Sequence, residues 1–457
     1  MRMISNIFAR LLAVIALAAM MAQPVAAQGI SVLRDAETEA LLQDMVDPLA
    51  EAAGLGEGAV EIVLVNDNSI NAFVAGGQRI FVHSGLLGTA ESANEVQGVL
   101  AHELGHITGG HINRFSEGAG NAMRITLLST LLAAAAALAG GTDAAMGIMM
   151  AGQQAAQGNF LSFSRTQEAS ADAAGAQYLS AAGISGRGSL SFFGKLQNLE
   201  YRMGISQDDE REYGRTHPMS GNRIARLRDT YEADAAWQAP DDPALQERFE
   251  RIQAKLFGFL AEPQRTLTAY PVHMTGIPAR YARAYAYHKS ARMDEALAEI
   301  DGLLALEPEN PYFLELKGQI LMESGRVAEA LDPLRQATRL TRSNPLIASM
   351  FGHALIATED TSNFEEAEAV LRAAVGRDRE NPFAWYQLSV VYGQRGDTPR
   401  ARLASAEQQI LSGNPQGALL NAQAAEQSLA TGTPDWIRAQ DVQLQARGML
   451  EAMRDRN

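Results

Sequence analysis

Four Asn-Pro pairs recur along the second half of the chain at nearly constant spacing. They stand at 310/311, 344/345, 381/382 and 414/415, so the intervals are 34, 37 and 33 residues. Around them, "KSARMDEALAEI", "ESGRVAEALDPL", "TSNFEEAEAVL" and "QRGDTPRARLAS" each place a turn before an apolar second helix. A generic helical bundle does not explain a recurring period, so the pattern predicts a stack of similar helical hairpins.

This pattern resembles the tetratricopeptide repeat, a helix-turn-helix unit of about 34 residues in which Pro closes the second helix. The 37-residue interval fits a three-residue insertion in "ATEDTSNFEEA". Residues 279–457 are therefore predicted to form an α-solenoid. Residues 415–452, which include Trp436, are predicted to be a last, atypical capping pair of helices.

The first 27 residues have the composition of a secretory signal peptide. Arg2 and Arg10 precede or flank the apolar run "LLAVIALAAMMA", and "PVAAQG" supplies small residues before Gln28. An uncleaved anchor is the weaker alternative, because a membrane span needs about 20 apolar residues. We expect export and cleavage between Ala27 and Gln28.

Composition narrows the possible partners and chemistries. The formal charge is -15, and there is no basic run that could follow a phosphate backbone, so nucleic acid is not expected as a partner. The chain contains no Cys, which excludes disulfides, thiolate catalysis and redox control through either.

Residues 28–235 are predicted to form a domain with a small sheet. Residues 35–53 have apolar side chains at helical spacing, and "EIVLVN" is typical of a strand. "NAFVAGGQRIFVHSGLL" predicts a hairpin with a two-residue turn at Gly76 and Gly77. Ser92 and Glu95 form a capping box, which predicts a helix from there to the Gly-Gly pair at 109–110.

That helix carries "HELGH", so His102 and His106 lie one turn apart on one face. In the H-E-x-x-H pattern two imidazoles hold Zn²⁺ and the glutamate, here Glu103, is the general base toward a water. The alternative is a surface helix with a satisfied pair of histidines. The capped helical context favours a zinc hydrolase.

A third ligand is needed, because catalytic zinc usually has three protein ligands. His111 is one candidate, but metzincin spacing would place that histidine at Ile112, so His111 is expected to cap or pack instead. Glu168 and Asp172 in "SRTQEASADAAGAQYL" lie four apart; the first could bind the metal and the second could orient a zinc histidine. An ordinary solvated acidic pair is the alternative.

A further histidine, His217, precedes a predicted helix in "RTHPMSGNRIARL". It could donate a hydrogen bond to a developing oxyanion, or block the zinc as a fourth ligand in a resting state. Arg223, one turn into that helix, could add positive charge to the site. A purely structural His-Pro loop is the alternative.

Residues 125–164 contain one charged residue, Asp143, in 40 positions. Three structures are possible for this segment: a buried helical hairpin, a transmembrane hairpin, or an apolar flap over a membrane or the active site. The apolar run 125–139 is short for a span, so we favour a helical hairpin against the catalytic domain that could contact lipid with its Ala, Leu and Met face. Residues 236–278 are predicted to be a linker and a connecting helix.

The order of "NAFVAGGQRIFVHSGLL", "HELGH", "QEASADAAG" and "THPMSGNRI" resembles the gluzincin metallopeptidases that include HtpX, Oma-type proteases and CAAX prenyl endopeptidases. The resemblance implies zinc on His102, His106 and Glu168, Glu103 as general base, Asp172 behind the ligands and His217 near the metal. It also implies a mainly α fold with a small β-sheet: a gluzincin-type α+β domain followed by the α-solenoid.

With the signal peptide and repeats added, the chain is similar to periplasmic members of that family. This similarity implies a zinc endopeptidase that degrades misfolded or stalled outer-membrane β-barrel proteins. The repeats would assist assembly together with the β-barrel assembly machinery. The hairpin near 71–83 could bind unfolded substrate as an added strand. The competing hypothesis is a non-proteolytic periplasmic chaperone or adaptor that acts through the repeats.

Overall fold

The computed structural model describes residues 31–138, 142–202, 217 and 221–455 of the chain. The predicted signal peptide, 1–27, lies outside these residues. The described part is mainly helical with one small sheet, so the predicted fold class is confirmed. Its first helices are α1 (Ala36–Ala52), α2 (Ser84–Thr89), α3 (Ala93–Thr108), α4 (His111–Leu138), α5 (Thr142–Ala181), α6 (Arg187–Arg202), α7 (Gly221–Glu232), α8 (Pro243–Leu260) and α9 (Pro263–Ala269).

The sheet has four strands in the order β1 (Val32–Leu33), β2 (Glu61–Val65), β4 (Arg79–His83) and β3 (Ala72–Ala75). β2 and β4 are parallel, whereas the two outer pairs are antiparallel. The predicted hairpin is present, but the prediction of a two-residue turn is wrong. Ala75 pairs with Arg79, so three residues form the turn, and Gly76 and Gly77 both have positive φ.

Helix α3 begins as its capping box predicts. The Ser92 hydroxyl accepts the N–H of Glu95 at 3.2 Å, and the Glu95 carboxylate accepts the N–H of Glu91 at 2.7 Å. Lys195 of α6 donates to the same carboxylate at 2.7 Å. The start of α3 is therefore held by its own cap and by a neighbouring helix, while its apolar face joins the protease-domain core.

Helices α4 and α5 pack against each other as a long hairpin, so the helical hairpin predicted for residues 125–164 is present. Small residues let them approach closely, for example Gly152 beside Ser129, and Ala133 and Ala156 are buried between them. The hairpin as a whole is not buried. Large apolar side chains on it are exposed: Met123, Leu127, Leu128, Leu131, Leu132, Met146, Met149 and Met150. By length and composition, His111–Ala136 could cross a membrane, which the shorter apolar run in the sequence did not indicate.

The solenoid consists of helix pairs α10 (Ile277–Lys289) and α11 (Met293–Leu306), α12 (Pro311–Glu323) and α13 (Val327–Leu340), α14 (Pro345–Ala357) and α15 (Phe364–Arg377), α16 (Pro382–Gln394) and α17 (Thr398–Leu411), and α18 (Pro415–Ser428) and α19 (Pro434–Arg454). The last pair is the predicted capping pair. The expectation that Pro closes the second helix is wrong, because each Asn-Pro pair opens the first helix of the following pair. Asn310 is the N-cap there and accepts the N–H of Tyr312 at 3.0 Å, while Pro311 occupies the first turn, where its missing N–H costs nothing.

The protease domain and the solenoid meet at a buried ionic cluster. Glu37 of α1 accepts hydrogen bonds from Arg251 of α8 at 2.6 Å and from the Tyr281 hydroxyl of α10 at 2.9 Å. Lys255 of α8 lies between Glu37 and Asp35. Helix α8 also places Phe249 and Ile252 in the protease-domain core, so the segment predicted as a linker contributes to both halves of the molecule.

Candidate metal centre

Helix α3 presents its two histidines and the intervening glutamate inside the protein. His102 and His106, one turn apart, have ring centroids 4.8 Å from each other. His102, Glu103 and His106 are all buried, with relative exposures of 4%, 2% and 8%. Buried polar groups at this density need internal partners, so a solvated surface pair is excluded.

Helix α5 crosses α3 at very short range because both helices carry glycine at the crossing. A Cβ at Gly105 would lie 2.5 Å from the carbonyl oxygen of Ala171, and one at Gly175 would lie 3.0 Å from the backbone of Ala101. This close approach brings the acidic face of α5, with Glu168 and Asp172, against the two histidines. The glycine within "HELGH" is therefore part of what assembles the site.

Four side chains converge on one point. The ligand atoms of His102, His106, Glu168 and His217 all lie within 4.8 Å of one another. His102 Nε2 and His106 Nε2 are each 3.4 Å from a Glu168 carboxylate oxygen and 3.1 Å from each other. The structure thus brings together the predicted ligand set, and places the predicted blocking histidine in the same cluster.

Asp172 and Arg223 lie beside the cluster and contact its members His102 and Glu168. Asp172 Oδ1 is 3.0 Å from His102 Nδ1, and Arg223 of α7 donates two hydrogen bonds to Asp172, at 2.6 and 2.8 Å. A third donor of Arg223 is 2.7 Å from Glu168 Oε2. Because all of these contacts are buried, Arg223 fixes both carboxylates of α5 at once.

The buried charges shift the pKa values of these groups in a consistent direction. Burial alone would raise the pKa of Asp172, but Arg223 lowers it to about 2. Burial likewise opposes ionisation of Glu168, yet the positive charges of His217 and Arg223 hold its pKa well below its usual range. Both carboxyl groups are therefore ionised at neutral pH, as metal ligands and their supports must be.

Glu103 has one oxygen engaged and one free to act. Its Oε1 lies 3.4 Å from His217 Nε2, whereas its buried Oε2 has no hydrogen-bond partner within the described part of the chain. An orphaned carboxylate oxygen beside a cluster of ligand atoms is where a reacting water would be received. Glu103 is thus placed for the predicted general-base role.

His217 lies over the cluster rather than behind it. Its Nδ1 is 3.1 Å from Glu168 Oε1 and 3.3 Å from His102 Nε2, and its side chain is 18% exposed, more than the other three ligand candidates. The neighbouring residues 218–220 lie outside the described residues. The position is compatible with a fourth ligand and with contact to a substrate.

Two side chains at the site were not foreseen in these roles. His111 lies outside the cluster, as expected, but its Nδ1 is 2.9 Å from Nδ1 of His106. It therefore contacts a candidate metal ligand, which the predicted capping or packing role did not include. Phe193 of α6 lies edge-on to the His102 ring, with centroids 5.8 Å apart, and beneath the Arg223 guanidinium. Nothing in the sequence near Phe193 indicates this contact, because it depends on how α6 packs on α3.

The side chains present fit a divalent transition metal. Three imidazole nitrogens and one carboxylate are a donor set that suits zinc better than the all-oxygen sets of calcium or magnesium. Three of the four, those on α3 and α5, are held by helix packing. His217 lies between α6 and α7 in the sequence, on neither helix.

Comparison with known proteins agrees with this site. Residues 36–231 match peptidase family M48, and residues 281–345 and 357–415 match the tetratricopeptide repeat. The chain therefore has a peptidase family M48 domain followed by tetratricopeptide repeats, and the predicted metallopeptidase class is confirmed.

Curated relatives share this organisation or part of it. The chain is 25% identical over 380 residues to the beta-barrel assembly-enhancing protease of Escherichia coli K12, covering 81% of this chain and 75% of the relative. It is 33% identical over 165 residues to the metalloprotease LoiP of the same organism, covering 36% of this chain and 60% of that protein.

Among solved structures, the chain is similar to YrrB, described as a TPR protein with an unusual peptide-binding site. The sequence identity is 21% and the TM-score 0.32, over 38% of this chain and 91% of that chain. A score this low does not define a shared arrangement of the repeats.

Proposed function

We propose that the chain is a zinc-dependent endopeptidase of the periplasm that degrades misfolded or stalled outer-membrane β-barrel proteins. The observation that carries the catalytic part is the Glu103 carboxylate, whose Oε2 has no hydrogen-bond partner among the described residues, beside the convergent ligand atoms of His102, His106 and Glu168. The client class follows from the name of the 25% identical relative and from the sequence-predicted signal peptide.

In this proposal His102, His106 and Glu168 hold one zinc ion per chain. Bound zinc supplies Lewis acidity to a water and to the peptide carbonyl. Asp172 fixes the ring of His102 through Nδ1, and Arg223 fixes Asp172 and Glu168 in turn. The side chains behind the ligands thus preserve the geometry while the chemistry takes place in front of them.

Glu103 moves the proton. It takes a proton from the attacking water and returns it to the amine nitrogen as the peptide bond breaks. A carboxylate serves both steps, because its conjugate acid is the donor that the leaving amine requires. The burial of Glu103 keeps bulk water from competing for that proton.

His217 holds the resting site closed in this account. It contacts Glu103 on one ring nitrogen and Glu168 on the other, so it occupies the space in which water and substrate must meet. Displacement of His217 would open the site, and its ring could then donate to the developing oxyanion from a shifted position.

The substrate is proposed to bind along β3. This strand is an edge of the sheet, pairs with β4 within the described residues and packs beside α3. An extended polypeptide could add there through main-chain hydrogen bonds, which read backbone rather than sequence. Strands of an unassembled β-barrel are substrates of this kind.

The proposed domain limits are 28–235 for the protease domain, 236–278 for the connecting segment and 279–457 for the solenoid. The solenoid is proposed to contact clients and the β-barrel assembly machinery, because stacked repeats form extended binding surfaces and the relative's name gives that protein a role in β-barrel assembly. The exposed apolar face of the α4–α5 hairpin is proposed to make peripheral contact with lipid.

Metal removal tests this proposal. The mature chain from Gln28 should contain one zinc, cleave a urea-denatured outer-membrane porin but not the folded porin, and lose cleavage after treatment with 1,10-phenanthroline. Added Zn²⁺ should restore cleavage, whereas Ca²⁺ should not. Glu168→Ala should purify without zinc. Cleavage that survives metal removal, or full zinc content in Glu168→Ala, would refute the proposed site.

A further inference from the structure

His111, five residues after the end of "HELGH", contacts the proposed metal ligand His106 on the side of its ring that faces away from the ligand cluster. His106 directs Nε2 to the centre of the ligand cluster, and its Nδ1 lies 2.9 Å from Nδ1 of His111. The two rings meet edge to face, with centroids 4.9 Å apart. His111 is buried, with 7% exposure, so this contact is not exchanged with bulk water.

The Gly-Gly pair between the two histidines makes the contact possible. Helix α3 ends at Thr108, and Gly110 has a φ of 63°, a left-handed conformation that turns the chain so that α4 starts at His111. The His111 ring then lies directly over Gly109, where any Cβ would collide with its Nε2. The sequence "HITGGH" thus encodes a turn that returns an imidazole to His106.

The hydrogen bond has a defined direction once His106 binds metal through Nε2. A neutral imidazole that offers its Nε2 lone pair carries its proton on Nδ1. That N–H can donate only to a lone pair, so Nδ1 of His111 must be the acceptor and the proton of His111 must be on its Nε2. The 2.9 Å separation is that of a good hydrogen bond.

We propose that His111 is a positioning residue that fixes the ring orientation and the tautomer of His106. This inference rests on the proposed role of His106 as a metal ligand. The site then has two different supports: the Asp172 carboxylate behind His102 and a neutral imidazole behind His106. A neutral acceptor orients its ligand without adding negative charge to a site that already contains the carboxylates of Glu103, Glu168 and Asp172.

Metal affinity tests the proposal without reference to catalysis. Zinc affinity is measured on the mature chain by competition with chelators of graded strength. His111→Phe keeps a ring over Gly109 but removes the acceptor, so affinity should fall by about 10- to 100-fold. His111→Gln, whose side-chain oxygen can accept the bond, should recover most of that loss. Ile112→Ala, an exposed neighbour, is the matched control.

A substitution at Gly109 tests the same hydrogen bond between His106 and His111 without changing either histidine. Gly109→Ala should displace the His111 ring and reduce zinc affinity similarly, and the double variant with His111→Phe should lose little more, because both remove one hydrogen bond. Wild-type affinity in His111→Phe, or no difference between the Phe and Gln variants, would overturn the proposal. If the wild type itself binds no zinc, the proposed metal site fails instead.

Discussion

Gly105 of α3 lies against the backbone of Ala171 of α5, at a separation that leaves no room for a Cβ. This crossing is what carries Glu168, three residues before Ala171, to the two histidines of α3. Gly105, the residue of "HELGH" without a side chain, therefore determines whether Glu168 lies close enough to the two histidines.

Gly105→Ala should separate the two helices and weaken the metal site. The added methyl group would lie 2.5 Å from a carbonyl oxygen, so backbone must shift, at a cost of about 1–3 kcal/mol in the free energy of unfolding. Zinc affinity should fall with it. Gly88→Ala in α2, where a Cβ meets nothing within 4 Å, is the control. Unchanged zinc affinity in Gly105→Ala would show that the crossing does not set the ligand distance.

The sequence predicted the local parts of this site better than its three-dimensional contacts. The helix of His102 and His106 followed from a capping box and a four-residue spacing, both of which are local. Glu168 was foreseen from its spacing to Asp172 and from family resemblance. The contact of His111 with His106 was missed, because it depends on a left-handed turn at Gly110 that spacing alone does not specify.

The same division holds for the fold. The repeat period predicted the solenoid, but it did not reveal that Pro311 opens a helix, since Pro disrupts the preceding helix and suits the first turn of the next one equally. The ionic cluster of Glu37, Arg251 and Lys255 was not foreseen, because these residues come from elements about 200 positions apart. Such pairings are set by packing rather than by local pattern.

His217→Ala should raise basal cleavage of a denatured substrate if His217 holds the site closed. Removal of one hydrogen bond to a charged group, worth ~1.4 kcal/mol, corresponds to an increase of about tenfold. The exposed His273→Ala in the connecting segment is the control. A lower cleavage rate would instead assign His217 to support of the transition state.

Glu315 should make stability fall as pH rises. It faces a cavity of about 960 Å³ between α8 and the solenoid, and burial raises its pKa to about 8. A raised carboxyl pKa favours the protonated folded state, so its stabilising contribution is complete below about pH 4.5 and is lost as pH rises through 8.

Glu315→Gln should therefore remove this dependence. Relative to wild type, the variant should gain about 3 kcal/mol in the free energy of unfolding between pH 5 and pH 8, measured by denaturant titration at each pH. The exposed Glu309→Gln, on the adjacent loop, is the matched control. A wild type and Glu315→Gln that differ equally at both pH values would contradict the assignment.

The α4–α5 hairpin should bind lipid through its exposed leucines. The mature chain should co-sediment with vesicles of phosphatidylethanolamine and phosphatidylglycerol, and replacement of Leu128, Leu131 and Leu132 by Ser should weaken binding by at least about tenfold. A triple Ser variant at three exposed solenoid leucines, Leu306, Leu420 and Leu444, is the control. Equal vesicle binding by both triple variants would exclude the hairpin as the contact.

The central claim is that Glu103 moves the proton in a metal-dependent peptide hydrolysis, and one paired measurement tests it most directly. Zinc content and cleavage of casein are compared for the mature wild type, Glu103→Gln and the exposed control Glu57→Gln. Glu103→Gln should retain one zinc per chain and lose cleavage by about 100-fold or more, while Glu57→Gln matches wild type in both. Retained cleavage in a zinc-loaded Glu103→Gln would contradict the account.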